Sequence, residues 1–464
     1  MDSGGATDEA HATVERTPAT LRNLLSLAWP VIVSRSTQVV IGVSDAVMVA
    51  WLGESALAAT TAGALNTFAI LVFPMGITFI IASFSSQLLG KGDAAGARRF
   101  GLYGLGLAGA TQVLCMIGIP FIPWILTALP YTPEVRVTMA AYLQIRLMSG
   151  GAAIGLEALG NYYGGIGNTR LPMAASLFAM TINLVGNYAL INGHLGAPAM
   201  GVSGAALSNT LSTWIAFLAF LAVFLLQGRG VRRGELAWRE MVRVLRFGVP
   251  SGLNWFFEFY AYNLFVNVVV AGLGTTALAA MMAVMQINSV SFMPAFGIAS
   301  AGAIFVGQAI GAGAKDDVPR IWRMTLATAA TWQSIVGVTY LVIPGLLMEP
   351  FSDGAPTSAE LLRMGRRMLM LSAAWQLFDA TAGTLAEALR AAGDTAFPLW
   401  ARTVIAWLIF FPGAYVTVRY FGGGELGAVA WFVAYFMLIA GTLYFRFRSG
   451  AWRKLTLVEP TVTD

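Results

Sequence analysis

The sequence predicts an all-α polytopic membrane protein: twelve transmembrane helices in two six-helix lobes, related by a pseudo-two-fold axis along the membrane normal. Hydrophobic residues make up 57% of the 464 residues and charged residues only 11%, which is typical of a chain that faces lipid. The first half of the sequence also resembles the second half at a nearly constant offset. A tandem repeat in so apolar a chain predicts a transporter with a cavity between two similar lobes.

Glycines and turn residues carry the repeat. At an offset of 221 positions the matched pairs include Gly53 with Gly274, Gly76 with Gly297, Gln87 with Gln308, Gly90 with Gly311, and Gly92 with Gly313. Farther along, Gly167, Thr169 and Pro172 match Gly393, Thr395 and Pro398 at an offset of 226. We therefore expect the second and eighth helices to end equivalently, with glycines that allow the chain to turn.

Apolar stretches of about 20 residues define the predicted spans. They lie near 26–50, 57–84, 100–126, 137–164, 171–192, 201–226, 245–272, 277–308, 321–347, 364–390, 397–420 and 426–447. Six spans per half is an even number, so each half begins and ends on the same side of the membrane.

Arginine and lysine are concentrated in the loops that follow even-numbered helices and in the two tails. By the positive-inside rule, both termini and the central linker are predicted to be cytoplasmic. The protein is predicted to be integral to the plasma membrane, which is the inner membrane if the bacterium is Gram-negative. The predicted organisation is a disordered tail at 1–23, an N-terminal lobe at 24–228, a linker at 229–242, a C-terminal lobe at 243–448 and a second tail at 449–464. The cations behind the net charge of +5 are spread over these loops, where they set topology, so the charge does not indicate nucleic-acid binding.

Three acids fall inside predicted spans: Asp45, Glu258 and Asp379. An ionised acid at the bilayer centre costs about 2.5–3.5 kcal/mol, so intramembrane acids are functional by default. The bases that we identify within the spans are Arg35 and Arg146, too few to neutralise all of these acids. The repeat also pairs Glu258 with about Gln38 and Asp379 with Ala153, so the acids, unlike the glycines, are specific to one lobe.

Two further features leave alternatives open. Asn183 and Asn187 lie four residues apart, on one face of the fifth helix, and either bond to a neighbouring helix or join Asp45 in binding a hard cation or a proton. The aromatic run Trp255 to Tyr260 around Glu258 either supplies a cation–π surface inside a cavity or faces lipid. Methionines such as Met285 either fill gaps or line a promiscuous cavity. Cys115 is the only cysteine, which excludes an intramolecular disulfide and a multi-cysteine metal site.

From about residue 20 to 448 the chain resembles the multidrug and toxic compound extrusion (MATE) family, within it the NorM-like branch. The matching stretches, in order along the chain, are Leu27-Ala28-Trp29-Pro30 leading to Asp45, Gly167-Asn168-Thr169-Arg170, Asn187-Tyr188, Gly196-Ala197-Pro198, Phe247-Gly248-Val249-Pro250 leading to Glu258, and Asp379 through Leu389-Arg390 to Gly393-Asp394-Thr395.

The resemblance implies roles for particular residues. Glu258 and Asp379 match the C-lobe acids that bind the coupling cation, usually Na+, with protons as an alternative. Asp45 matches the acid of the first helix, and Asn183 and Asn187 match the asparagine pair around it. The chain departs from the usual pattern at Ala391, where glycine is common, and at Met285-Gln286-Ile287, which lacks a histidine often found before that glutamine.

The function implied is efflux of lipophilic, mostly cationic organic compounds in exchange for Na+ or H+, by alternating access and as a monomer. No cofactor is expected beyond the coupling ion. We expect the substrate to contact Trp255, Phe259, Tyr260, Met285 and Gln286.

Two other functions are alternatives for such a chain. A flippase for lipid-linked precursors would need a cationic cavity for pyrophosphate, and we identify only Arg35 and Arg146 for it. A membrane-embedded enzyme would need a nucleophile and a base, and the chain has one cysteine and no histidine in a predicted span.

Overall fold

A computed structural model describes residues 18–129, 131–227, 236–351 and 356–458, the last range with side chains from residue 359 onwards. Within these ranges the chain is helical and contains no strand. The helices of the first half are α1 Leu21–Ala50, α2 Glu54–Lys91, α3 Ala94–Gly118, α4 Ile122–Thr127, α5 Pro133–Leu147, α6 Gly150–Gly165, α7 Arg170–Asn192 and α8 Gly201–Leu226.

The second half repeats this order of helices. Its members are α9 Trp238–Leu264, α10 Thr275–Gly311, α11 Val318–Val342, α12 Pro344–Met348, α13 Pro356–Ser372, α14 Gln376–Ala391, α15 Ala396–Val404, α16 Phe411–Tyr420 and α17 Gly424–Arg448. Single π-helical segments, Phe265–Val270 and Ile405–Phe410, extend α9 and join α15 to α16. These segments pack together, since the rings of Phe265 and Phe410 lie 4.9 Å apart.

Each of the twelve predicted spans coincides with one or more of these helices, which confirms the predicted fold class. Within the described ranges, nine helices are long and apolar enough to cross a membrane singly, or ten if α11 and α12, bent by 91° at their junction, form one span. The other two predicted spans are broken in the middle. One break lies at residues 148–149, between α5 and α6, and the other is the 3₁₀ turn Ala373–Trp375 between α13 and α14. The second break corresponds to a position near 148 at the repeat offset of 226, so the two breaks are equivalent.

The backbone repeats as the sequence does. Gly92 and Gly313 have left-handed φ angles of 87° and 78°, and the amides of Asp93 and Ala314 bond back to the carbonyls of Leu88 and Ala309 at 2.9 and 2.8 Å. This bond, from a residue to the fifth one before it, is the Schellman ending of a helix. It confirms that α2 and α10 end equivalently, with glycines permitting the turn.

Each lobe has its own core, and the first helix of each begins against the other lobe. Leu24 of α1 is fully buried in the core of the C-terminal lobe. Val244 of α9, 220 positions later, is fully buried in the core of the N-terminal lobe, beside Phe84 and Phe100. The two lobes are therefore interlocked rather than merely adjacent.

Glycines let the lobes approach to backbone contact, and we call this contact the seam. A Cβ at Gly90 of α2 would lie 2.1 Å from the carbonyl oxygen of Gln308, and a Cβ at Gly311 of α10 would lie 1.8 Å from that of Gln87. Gln87 also crosses the seam through its Nε2, which donates to the carbonyl of Ala391 at 2.7 Å. The two glycine contacts are repeat mates, so the pseudo-two-fold axis passes between them.

The segment that follows α17 also lies on the seam. Leu457 is 1% exposed and belongs to the core of the N-terminal lobe, and its Cβ faces Gly393 of the C-terminal lobe. Arg453 binds Asp316 at 2.6 Å.

The predicted domain limits differ from the helix limits in places. Helix α1 begins at Leu21, within the predicted first tail, and α9 begins at Trp238, within the predicted linker. Residues 1–17, 228–235 and 459–464 of the predicted tails and linker lie outside the described residues.

A methyl group at the seam should hold the lobes apart. We expect Gly311→Ala to oppose packing of α10 on α2 by about 1–3 kcal/mol, as overpacking does, and to shift the equilibrium towards separated lobes about 5- to 150-fold. Distances between spin labels at Ala95 and Asp317, both exposed, in a Cys115→Ala background would lengthen.

The matched control is Gly109→Ala, because a Cβ there meets no atom within 4 Å. An unchanged distance distribution in Gly311→Ala would show that the seam tolerates the methyl group and does not limit lobe separation.

Candidate functional site

A cavity of about 510 Å³ opens within the C-terminal lobe, and all of its lining residues come from that lobe. Helices α9, α10, α11, α14, α15 and α17 contribute to it. Aromatic rings form much of the wall, among them Trp255, Phe292 and Phe296. Its charged lining groups are four carboxylates and two guanidinium groups: Glu258, Asp379, Glu387, Asp394, Arg390 and Arg402.

Glu258 of α9 is ion-paired. Nη1 of Arg402, on α15, donates to both carboxylate oxygens at 2.5 Å, and the hydroxyl of Tyr435 on α17 donates to Oε1 at 3.1 Å. The expectation that Arg35 and Arg146 are the relevant intramembrane bases was therefore wrong, because it overlooked an arginine in the eleventh predicted span. Removing the Glu258 charge alone would leave Arg402 uncompensated.

Asp379 lies in the first turn of α14, which the 3₁₀ turn Ala373–Trp375 separates from α13. The break thus places a carboxylate at the positive end of a helix dipole, inside the cavity. Gln333 of α11 donates from Nε2 to Oδ2 at a long 3.4 Å. The other side-chain atom of that amide, Oε1, is buried without a hydrogen-bond partner.

The remaining acids near the cavity and in α6 have arginine partners. Arg390 pairs with Glu387 and reaches across the seam to the carbonyl of Phe79. Arg446 binds Asp394 at 2.7 Å, and Arg35 binds Glu157 at 2.5 Å. Within the described part of the spans, Asp45 and Asp379 are the two carboxylates that no arginine or lysine pairs within 4.0 Å, one in each lobe.

The N-terminal lobe holds Asp45 in a cluster of amides. Nδ2 of Asn187 donates to Oδ1 of Asp45 at 2.5 Å, and Nδ2 of Asn209 donates to Oδ2 at 2.7 Å. Asn187 also donates to Oδ1 of Asn183 at 3.3 Å. Asp45 is 6% exposed, and Asn183 and Asn187 are fully buried, so the structure brings together the three residues that the sequence singled out here.

Asn209 is a member of this cluster that the sequence analysis missed. It lies on α8, which approaches α7 closely at Gly186, where a Cβ would lie 2.5 Å from the Ser208 hydroxyl oxygen. That hydroxyl donates to the carbonyl of Asn183 at 2.9 Å. A lone asparagine in an apolar span was the available signal, but nothing in its spacing linked it to Asp45.

The predicted substrate contacts divide into two groups. Trp255 and Met285 line the cavity. Phe259 packs on Phe68 of α2 with ring centroids 5.3 Å apart, and Tyr260 and Gln286 are exposed on the protein surface. The last three do not line the cavity, and their role in substrate binding stays a prediction.

A family model named MatE matches residues 30–189 and 250–416, one segment in each lobe. The probable multidrug resistance protein NorM of Thermotoga maritima is 27% identical over 452 residues, 95% of each chain. The protein of the same name from Bradyrhizobium diazoefficiens is 28% identical and covers 92% of this chain and 93% of its own. That of Chromobacterium violaceum is 29% identical over 84% of each.

Solved structures share the fold at low sequence identity. A MATE structure in complex with MaL6 superposes with a TM-score of 0.86 at 19% identity, covering 94% of this chain and 97% of its own. A MOP superfamily transporter from Pyrococcus furiosus, described as having a binding pocket of reverse polarity, superposes with a TM-score of 0.85 at 19% identity and the same coverage. With the family model matched over both lobes and NorM relatives along nearly its whole length, this chain belongs to the multidrug and toxic compound extrusion family, in its NorM-like branch.

Proposed function

We propose that this protein is a secondary active multidrug efflux transporter that exchanges lipophilic, mostly cationic organic compounds for Na+ or H+ by alternating access. The observation that carries the proposal is one carboxylate in each lobe without an arginine partner, Asp45 and Asp379. The names of its relatives as multidrug resistance proteins support the efflux of drugs.

Cations or protons are suitable ligands for the two carboxylates because each acid lies between membrane helices, where an uncompensated negative charge is unfavourable. An ionised acid in a span is unfavourable by about 2.5–3.5 kcal/mol, and amide donors offset only part of this. Each cluster also contains a buried acceptor without a hydrogen-bond partner, Oδ1 of Asn187 and Oε1 of Gln333. A carboxylate together with amide oxygens is a suitable set of ligands for a hard monovalent cation.

Exchange follows from competition. A cationic substrate and a coupling ion both neutralise the same carboxylates, so binding of one lowers the affinity for the other. The two predicted C-lobe residues, Glu258 and Asp379, line one cavity with the aromatic rings, where a lipophilic cation can meet apolar, π and carboxylate surfaces together.

Glu258, Glu387 and Asp394 are paired with arginines, so Asp379 is the carboxylate of the described cavity lining without an arginine partner, and it favours a cationic ligand over the pyrophosphate of a lipid-linked precursor. Both cavity arginines, 390 and 402, are paired with carboxylates, which argues against the flippase alternative. An embedded enzyme has no support from the cavity either, since the described residues of its lining include neither cysteine nor histidine.

The charge distribution supports an orientation for the seam. Lys91 is the last residue of α2 and Lys315 follows the end of α10, so by the positive-inside rule this end is cytoplasmic. Contact at the seam then corresponds to a transporter closed towards the cytoplasm.

Neutral variants of the two unpaired acids test the proposal. Asp45→Asn and Asp379→Asn should each abolish tetraphenylphosphonium transport in proteoliposomes driven by separately imposed Na+ and H+ gradients. Neither substitution breaks an ion pair, so both variants should fold and insert as the wild type does.

Glu134→Gln, at an exposed position in the first turn of α5, is the matched control and should transport normally. Gradient-driven transport that persists in both lobe variants would overturn the coupling role of these carboxylates. The gradient that drives wild-type transport identifies the coupling ion.

Asn209, which the sequence analysis missed, gives a second test. Asn209→Ala removes one donor to the Asp45 carboxylate, a bond worth about 1.5–3 kcal/mol when the acceptor is charged. We expect the coupling-ion concentration for half-maximal transport to change about tenfold or more.

Asn263→Ala is its control, because among the described residues that side-chain amide bonds only to the carbonyl of Phe259 in its own helix. Equal transport curves for the Asn209 and Asn263 variants would remove Asn209 from the coupling site.

A further inference from the structure

We infer that Arg402 is a counter-cation of the C-lobe cavity that belongs to the protein itself. Its guanidinium must release Glu258 before a ligand cation can bind that carboxylate. Arg402 thereby sets whether the cavity prefers cations or anions. The inference rests on the proposed function and names a specificity-determining residue within it. Arg402 and Glu258 both line the cavity, with side chains 14% and 27% exposed, so a ligand can reach the pair.

The hold on Arg402 depends on one carboxylate. Among the described residues, both hydrogen bonds of its guanidinium go to Glu258, through Nη1 alone. Its Nε is buried without a partner, although buried polar groups are ordinarily satisfied. A guanidinium bound this way can leave without breaking a larger network.

A second acceptor is present in the same cavity. Asp379 interacts electrostatically with both Arg402 and Glu258, and among the described residues its side chain accepts the long hydrogen bond from Gln333. When a ligand cation binds Glu258, the guanidinium of Arg402 can therefore pair with Asp379 instead. The charges of the protein stay the same, so the net charge of the cavity changes only by the charge of the ligand.

The ion pair is not needed to join the helices that carry it. At the offset of 226, Arg402 corresponds to Ser176 of α7, and the equivalent helix pair of the N-terminal lobe, α1 and α7, is bridged by the hydroxyls of Ser34 and Ser176 at 2.7 Å. A pair of serine hydroxyls is enough to join the equivalent pair of helices. Since a buried ion pair is weak evidence for stability, a role in ligand selection explains why the C-terminal lobe carries an arginine there.

Two ions of similar shape and opposite charge, tetraphenylphosphonium and tetraphenylborate, test the inference by equilibrium dialysis against purified protein, with protein-free micelles subtracted. Arg402→Gln leaves an unopposed carboxylate and should raise the cation-to-anion affinity ratio about tenfold or more. Glu258→Gln removes one negative charge from the cavity and should lower the ratio by a similar factor. The double variant, which restores the net charge of the wild-type cavity, and Arg402→Lys, which keeps the cation, should both return close to the wild-type ratio.

Arg419→Gln controls for loss of a charge from the same span, because Arg419 is exposed and does not line the cavity; its ratio should equal that of the wild type. Ratios that stay constant across the 402 and 258 variants, or that move in the same direction in the two single variants, would overturn the inference. If one single variant does not fold, the other single variant, Arg402→Lys and the double variant still make the comparison.

Failure of the proposed function would look different. Wild-type protein that binds both ions but transports neither under any gradient would refute efflux, while the binding ratios would still report on Arg402.

Discussion

Charge compensation in an apolar environment is the constraint on which the polar interior of this protein depends. An acid placed between membrane helices needs a cation, a proton or several donors. Most acids in the described part of the spans meet this need through an arginine, as Glu157 does with Arg35 and Glu258 with Arg402. Asp45 and Asp379 meet it only in part, with amide donors, and that difference separates the acids suited to bind a mobile ion from those already neutralised.

The scaffold around these acids is shared between the lobes, whereas the polar chemistry is not. Helix ends, left-handed glycines and the seam contacts at Gly90 and Gly311 recur as repeat mates. In the same symmetric way, Leu24 of the N-terminal lobe packs in the core of the C-terminal lobe, and Val244 of the C-terminal lobe packs in the core of the N-terminal lobe. Against that background the acids occupy unrelated positions, so the polar groups of the two lobes differ although their scaffolds match.

Much of this arrangement could be predicted from the sequence, because it follows from local or periodic signals. Span length, glycine spacing and the offset of 221 predicted the twelve segments and the equivalent ends of α2 and α10. The cluster of Asp45, Asn183 and Asn187 was also found, since four-residue spacing places both amides on one face. The partners of the acids were harder to predict: Arg402 lies 144 positions from Glu258 and Asn209 lies 164 from Asp45, and no local pattern encodes a contact between distant helices. Breaks in helices, such as the turn before Asp379, likewise left no proline or glycine signal at Ala373–Trp375.

The burial of Leu457 between the lobes has a practical consequence for anyone who attaches a reporter to this protein. Lys454, three residues before Leu457, is exposed. A fluorophore attached there would lie beside the contact between the two lobes and would report on any change in their packing. Its bulk would also press on that contact, so a label meant to leave the lobes undisturbed belongs at an exposed residue away from the seam.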